Sequence, residues 1–157
     1  MSIHRRLSAL FLTLTSLFLA NATAHGADGI TTNVIAGPVA AQVIRVVDGD
    51  TILVSARPWP QQHVDVFVRL RGIDTPEMKS RCAGDRAAAK TARDLLSSLV
   101  LGGDSLFLTD VSADKYFGRV VADVHLVDGR NPAHDLVAAG LATPYDGRTK
   151  RPCADSE

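Results

Sequence analysis

Aromatic rings are scarce in this 157-residue chain, at 5% of its residues, with one Trp and two Tyr. That scarcity excludes a broad platform of rings for stacking flat ligands. A dominant charge is lacking too: 17 Lys and Arg stand against 17 Asp and Glu. A general polyanion binder carries a strong positive excess, so any affinity of that kind must come from a local patch and weaken with salt. Cysteine occurs only as Cys82 and Cys153, too few for a thiolate zinc site, and the histidines offer no ligands at suitable spacing. In an oxidising compartment such an isolated pair is expected to form a disulfide. Repeats and low-complexity tracts are absent beyond the amino-terminal arm.

Only one long apolar run exists. Arg5 and Arg6 precede an apolar stretch over residues 7–20, and Ala22-Thr23-Ala24 has the small-x-small form of a signal peptidase site. The run is short for a spanning helix, which needs about 20 apolar residues. Residues 1–24 are therefore expected to be a signal peptide cleaved after Ala24, giving a periplasmic or secreted protein without stable membrane association. Its removal takes away two arginines and leaves 15 basic residues against 17 acidic. Residues 25–38 are rich in Gly, Thr and Ala without periodicity and are expected to be a flexible arm. Residues 39–157 form the expected domain, with an apolar share (46% of the whole chain) ordinary for a packed core.

Within that domain the periodicity predicts strands over residues 40–47 and 51–54, joined at Asp48-Gly49-Asp50, where Asp-Gly supplies positive φ. A third strand spans 63–73, with Val64, Val66, Val68 and Leu70 on one face and His63, Asp65, Phe67, Arg69 and Arg71 on the other. A helix is predicted over about 84–101 from the stripe Ala88, Ala92, Leu95 and Leu99, closed by Gly102-Gly103. Strands follow over 105–111 and 119–127. Asn131-Pro132 opens a short helix as N-cap and first helical residue, ending at Gly140. No long element is assigned beyond Leu141. The fold class is thus mainly β with helices (α+β). Five strands, with a helix between the third and fourth and a short second helix, give the order of an OB-fold barrel.

Three short segments carry acids and arginines beyond what local structure requires. In Asp48-Gly49-Asp50-Thr51 the turn accounts for Asp48 but not for Asp50. In the run from Arg69 to Glu77 a helix cap accounts for Asp74 or Glu77, but not for Arg69 as well. Asp114-Lys115-Tyr116-Phe117-Gly118-Arg119 reads alone as a solvated turn. Lys79, Arg81, Arg86, Lys90 and Arg93 form a basic stretch that reads first as a solvated helix face, with attraction of a polyanion as a secondary role.

In order and spacing, the set Asp-Gly-Asp-Thr, Arg, Asp-Thr-Pro-Glu, Asp-Lys-Tyr and Gly-Arg closely resembles the thermonuclease (staphylococcal-nuclease-like) family over residues 40–145. The resemblance implies an OB-fold barrel and calcium-dependent hydrolysis of phosphodiester bonds in DNA and RNA, leaving 3′-phosphate ends. It implies Ca2+ ligands at Asp50, Asp74 and the backbone carbonyl of Thr75, phosphate-binding arginines at Arg69 and Arg119, and a catalytic glutamate at Glu77. It further suggests substrate contacts by Lys115, Tyr116 and Tyr145, in a monomer.

The chemistry of these residue types agrees. Guanidinium forks neutralise the charge that grows on phosphate oxygens. A hard cation takes oxygen ligands, and a carboxylate orients or deprotonates water. The chain departs from the family pattern at the inserted Phe117, in its lower charge and in ending soon after the second helix, where a Cys82–Cys153 bridge would pin the tail. Two other readings stay open: an OB-fold module that binds single-stranded nucleic acid or a protein without cutting, and a hydrolase of another envelope phosphodiester.

Overall fold

The computed structural model describes residues 33–103 and 105–147. The expected signal peptide, most of the arm and Cys153 lie outside the described residues. No helix among the described residues is long and apolar enough to cross a membrane.

Alternating Val, Ile and Leu residues build the strands, because a period of two sends one set inward and the other outward. In chain order the elements are β1 (Val34–Ile35), β2 (Val39–Asp48), β3 (Thr51–Arg57), β4 (Val64–Leu70), β5 (Ile73–Asp74), α1 (Ala83–Val100), β6 (Leu106–Ala113), β7 (Arg119–Leu126), α2 (Pro132–Ala138) and β8 (Thr143–Pro144). Strands β2, β3 and β4 form an antiparallel meander, and β6 pairs antiparallel with both β2 and β7. A parallel pairing of β4 with β7 closes the ring, Arg69 facing Val121. The result is the expected five-stranded OB-fold barrel with α1 between its third and fourth strands.

Ile52, Val54, Val68, Leu70, Leu106, Leu108 and Val124 fill the barrel, and α1 and α2 add Leu96 and Leu136. Each such side chain, fully buried, contributes about 2 kcal/mol. The helix buries Ala89, Ala92, Leu96 and Val100, while Leu95 and Leu99 are only partly covered. The centre of its apolar face is thus displaced from the expected stripe. The apolar arc is broad enough to include both sets, and the barrel decides which lies deepest. In α2 the Asn131 side chain accepts a hydrogen bond from the Ala133 amide at 2.9 Å, the expected N-cap, with Pro132 in the first turn.

Four local expectations are corrected. Val34 and Ile35, within the expected arm, pair with Ser112 and Val111. The third strand stops at Leu70, and the chain turns at Arg71-Gly72 before β5, which pairs with β8 in a separate two-stranded ladder. Helix α1 ends at Val100 with Leu101 as its C-cap, whose amide donates to the Ser97 carbonyl, and neither Gly102 nor Gly103 has positive φ.

Gly49 is the fourth. Its φ is not positive, and a Cβ there would lie 2.7 Å from the Ala92 Cβ and 2.9 Å from Thr75 Oγ1. Glycine therefore serves close approach, letting the β2–β3 turn press against α1 and the segment after β5.

Candidate active site

The β2–β3 turn, the end of β4, the segment after β5 and the β6–β7 turn converge on one cavity of about 790 Å³. Asp50, Arg69, Thr75, Glu77, Lys115, Tyr116, Arg119 and Tyr145 all line it. Asp74 joins the group through Arg69. Segments up to 95 positions apart, from Asp50 to Tyr145, thus meet at one edge of the barrel.

Arg69 is the hub. It sits on β4 opposite Thr51 in the register, so its side chain reaches the start of β3. Nη1 lies 2.7 Å from Asp50 Oδ1, Nη2 lies 2.8 Å from Asp74 Oδ1, and Nη2 also donates to the Ile73 carbonyl at 3.2 Å. The buried Asp50 accepts from Thr51 Oγ1 at 3.0 Å and, through Oδ2, from the Thr75 amide at 3.2 Å. Burial raises the Asp50 pKa. Arg69 opposes that rise, and nearby Asp48 adds to it. Burial alone would lower the Arg69 pKa, but Asp50 and Asp74 raise it further, so the guanidinium is firmly cationic.

Across the cavity Arg119 opens β7. Its Nε donates to Asp114 Oδ2 at 2.6 Å, and its guanidinium stands 4.6 Å from the Tyr116 ring centroid. Burial acts to raise the Asp114 pKa, but Arg119 and the amides of Lys115 and Tyr116 outweigh it and hold the carboxyl below its ordinary value. Lys115 Nζ lies 5.1 Å from the same Tyr116 centroid. Tyr145 follows β8, and its amide donates to the Gly72 carbonyl at 2.9 Å, which sets its ring 5.9 Å from the Arg69 guanidinium. Glu77 is exposed at the cavity wall.

Some residues gain a role that sequence reasoning had not assigned. Asp48 lines the cavity and accepts from the Asp50 amide at 3.2 Å; its place two residues before Asp50 is the signal for such a turn. Arg71 donates to the carbonyls of Asp110 and Val121 and to Ser112 Oγ, bracing the bulge in β6 where the register shifts. Asp114 is the brace of Arg119, five positions before it across a turn. Of the basic stretch, none of Lys79, Arg81, Arg86, Lys90 and Arg93 lines the cavity. Arg86 instead donates to the carbonyls of Ser80 and Arg81 at the start of α1. Nor do His63, His125 and His134, and His125 Nε2 lies 3.2 Å from Thr109 Oγ1. Cys82 is disulfide-bonded; Cys153, its expected partner, lies outside the described residues.

The donor set suits a hard cation. Asp50 and Asp74 offer carboxylate oxygens that converge on one positive group, and Asp50 also accepts from Thr51 Oγ1 and the Thr75 amide. Among the described residues no cluster of three or more His, Cys, Asp or Glu is arranged to hold a metal, so two carboxylates leave further positions to carbonyl oxygen, water or a ligand.

Comparison with known sequences places this geometry. The sequence model described as staphylococcal nuclease homologue matches residues 67–156. A protein of Escherichia coli described as an uncharacterized endonuclease is 33% identical over 113 residues, covering 72% of this chain and 65% of the relative. A protein of the same description from Escherichia coli O157:H7 has the same identity and coverage. The chain spans just under two thirds of the length of these relatives. The matched segment starts at residue 67, beyond Asp50, yet the barrel sets Asp50 directly on Arg69. On the family match, which takes in more than half of its residues, and on the barrel and cavity that accompany it, this chain belongs to the staphylococcal nuclease homologue family.

Proposed function

We propose that the chain is a calcium-dependent nuclease that hydrolyses phosphodiester bonds in DNA and RNA, leaves 3′-phosphate ends and acts as a monomer in the periplasm or outside the cell. The observation that carries the reading is the convergence of Arg69, Arg119 and Glu77 on one cavity beside the Asp50–Asp74 pair. Family membership and the description of the Escherichia coli relatives as endonucleases support it. Export rests on the amino-terminal segment alone.

A phosphodiester resists water because its anionic oxygens repel a nucleophile and gain charge in the transition state. Arg69 and Arg119 bind those oxygens with planar, permanently charged forks held in place by Asp50, Asp74 and Asp114. Preorganisation of this kind matters because the arginines need not reorient as charge develops. Glu77 accepts the proton of the attacking water, a new P–O bond forms, and the bond to the 5′-oxygen breaks, that oxygen taking a proton from solvent and leaving as a hydroxyl. Tyr116 and Tyr145 flank the arginines, their ring centroids 4.6 Å from Arg119 and 5.9 Å from Arg69.

The cavity wall carries five acids (Asp48, Asp50, Glu77, Asp114, Asp146) against four bases (Arg69, Arg71, Lys115, Arg119). Asp50, Asp74 and the Thr75 carbonyl would hold a divalent cation beside this wall, and its charge would offset the acids. Calcium held there would add positive charge beside the phosphate.

The test is cleavage of single-stranded DNA and RNA by the purified protein, with calcium and with chelator, beside Glu77→Gln and Arg119→Ala. Calcium-dependent cutting lost in both variants, with 3′-phosphate ends on the products, is the expected result. Folded protein that binds nucleic acid but cuts none with any divalent metal overturns it in favour of a binding module.

A further inference from the structure

One side chain at the rim of the cavity is used neither by the barrel nor by the proposed chemistry. Phe117, in the turn between β6 and β7, is completely exposed, at 108% of its reference surface. The turn that displays it is braced. The Asp114 amide donates to the Arg119 carbonyl at 3.2 Å, and the Arg119 amide donates to the Tyr116 carbonyl at 3.3 Å. Asp114 holds the Arg119 side chain, and Gly118 takes a φ of +80° that a glycine adopts freely. Asp114, Lys115, Tyr116 and Arg119 face the cavity, whereas Phe117 does not line it. An apolar ring is therefore held outside the rim by a turn whose other residues look inward.

We propose that Phe117 makes the site selective for single-stranded nucleic acid, by stacking on the base of a nucleotide adjacent to the one whose phosphate lies in the cavity. The proposal rests on the nuclease reading. A strand leaving the cavity on this side passes the turn, where Lys115 offers charge to its backbone and Phe117 a free face to its base. In a duplex both faces of that base are already covered by its neighbours, so the ring gains nothing. An unpaired strand gains a stacking contact that is tolerant of sequence, because every base has a π-face. The neighbours of Phe117 in the turn add no apolar surface to it: Tyr116 is half-exposed and engaged by Arg119 and Lys115, and Gly118 has no side chain.

The experiment compares the wild type with Phe117→Ala, Phe117→Leu and Phe117→Trp. It measures binding of a single strand, its duplex and a strand of abasic nucleotides under chelator, and KM and kcat for the single strand and the duplex with calcium. Phe117→Ala should weaken binding of the single strand and raise its KM about tenfold, with kcat held, while duplex values change less than about twofold. Phe117→Leu keeps apolar area without a π-face and should not restore affinity; Phe117→Trp should. The loss should vanish on the abasic strand. Equal affinities of wild type and Phe117→Ala for the single strand, or an equal loss on all three ligands, overturns the role of Phe117. Absence of cleavage by wild-type protein that still binds overturns the nuclease reading alone, because binding still reads the ring. Absence of any binding overturns both.

Discussion

Arg69 and Asp50 form an ion pair of 2.7 Å between Nη1 and Oδ1, with 17% of the arginine side chain and 5% of the aspartate side chain exposed. The same guanidinium holds Asp74 at 2.8 Å. Arg69 thus serves two tasks, compensating two acids in the protein as described and binding phosphate in the proposed reaction. Removing it leaves both carboxylates in a partly dry site without their cation. We expect Arg69→Ala to lower stability by about 3 kcal/mol. Calcium should recover more of that loss in the variant than it adds to wild type, because a second cation then meets carboxylates with no competitor. Urea unfolding with and without calcium measures both; equal calcium effects would count against shared occupancy of the two acids.

Gly49 is the tightest point near the site. With 2.7 Å separating its virtual Cβ from that of Ala92, Gly49→Ala should cost about 2 kcal/mol. It should also impair cleavage, since the turn carrying Asp50 must shift. Ala92→Gly added to Gly49→Ala should restore stability only in part, because a glycine within a helix itself costs about 1 kcal/mol. Thermal unfolding of the two single variants and the double variant reads the coupling. Strict additivity would mean the two positions do not press on each other.

The depressed Asp114 pKa has a definite sign in stability. Below the ordinary value of 3.8 the unfolded chain takes up a proton that the native carboxylate, paired to Arg119, still refuses. The contribution is therefore complete above that value and is lost as pH falls through the native pKa. Asp114→Asn should be less stable than wild type at neutral pH, with the gap closing in acid. Melting midpoints across an acid series test it. A gap independent of pH would show that the carboxylate charge is not what matters.

Asn131 serves as a control remote from the chemistry. Loss of its 2.9 Å hydrogen bond to the Ala133 amide in Asn131→Ala should cost about 1 kcal/mol and leave the kinetics of cleavage unaltered. A large change in kcat would reveal a path from α2 to the cavity.

Much of the barrel was legible because alternation over Val66 to Leu70 and over β7 records which face is buried, although Val64 at the start of β4 is exposed. The helices were legible for a similar reason, and Asn131-Pro132 marked the start of α2 directly. Pairings between distant segments leave no such trace. Nothing local to Ile73-Asp74 indicates that Thr143-Pro144 lies beside it, and nothing local to Phe67-Val68 indicates a parallel partner in β7. The identities of the site residues came with the resemblance, since each segment alone has an ordinary turn or cap reading. Their mutual geometry did not. That Arg69 binds two acids at once, and that Asp114 holds Arg119, depends on how strands close a ring. The role of Gly49 was misread because Asp-Gly is a strong turn signal; crowding from Ala92 and Thr75 is visible only in three dimensions.

The small ladder of β5 with β8 has a consequence for the order of events in the cell. Asp74 and Tyr145 come from segments about seventy residues apart, and the Gly72 carbonyl waits for the Tyr145 amide. A chain emerging from the ribosome can close β2–β3–β4 early, but this wall of the cavity stays open until its last described stretch is free. The cavity is then incomplete while that stretch is still being made. An activity directed at nucleic acid is thereby withheld until synthesis of the last described stretch is over.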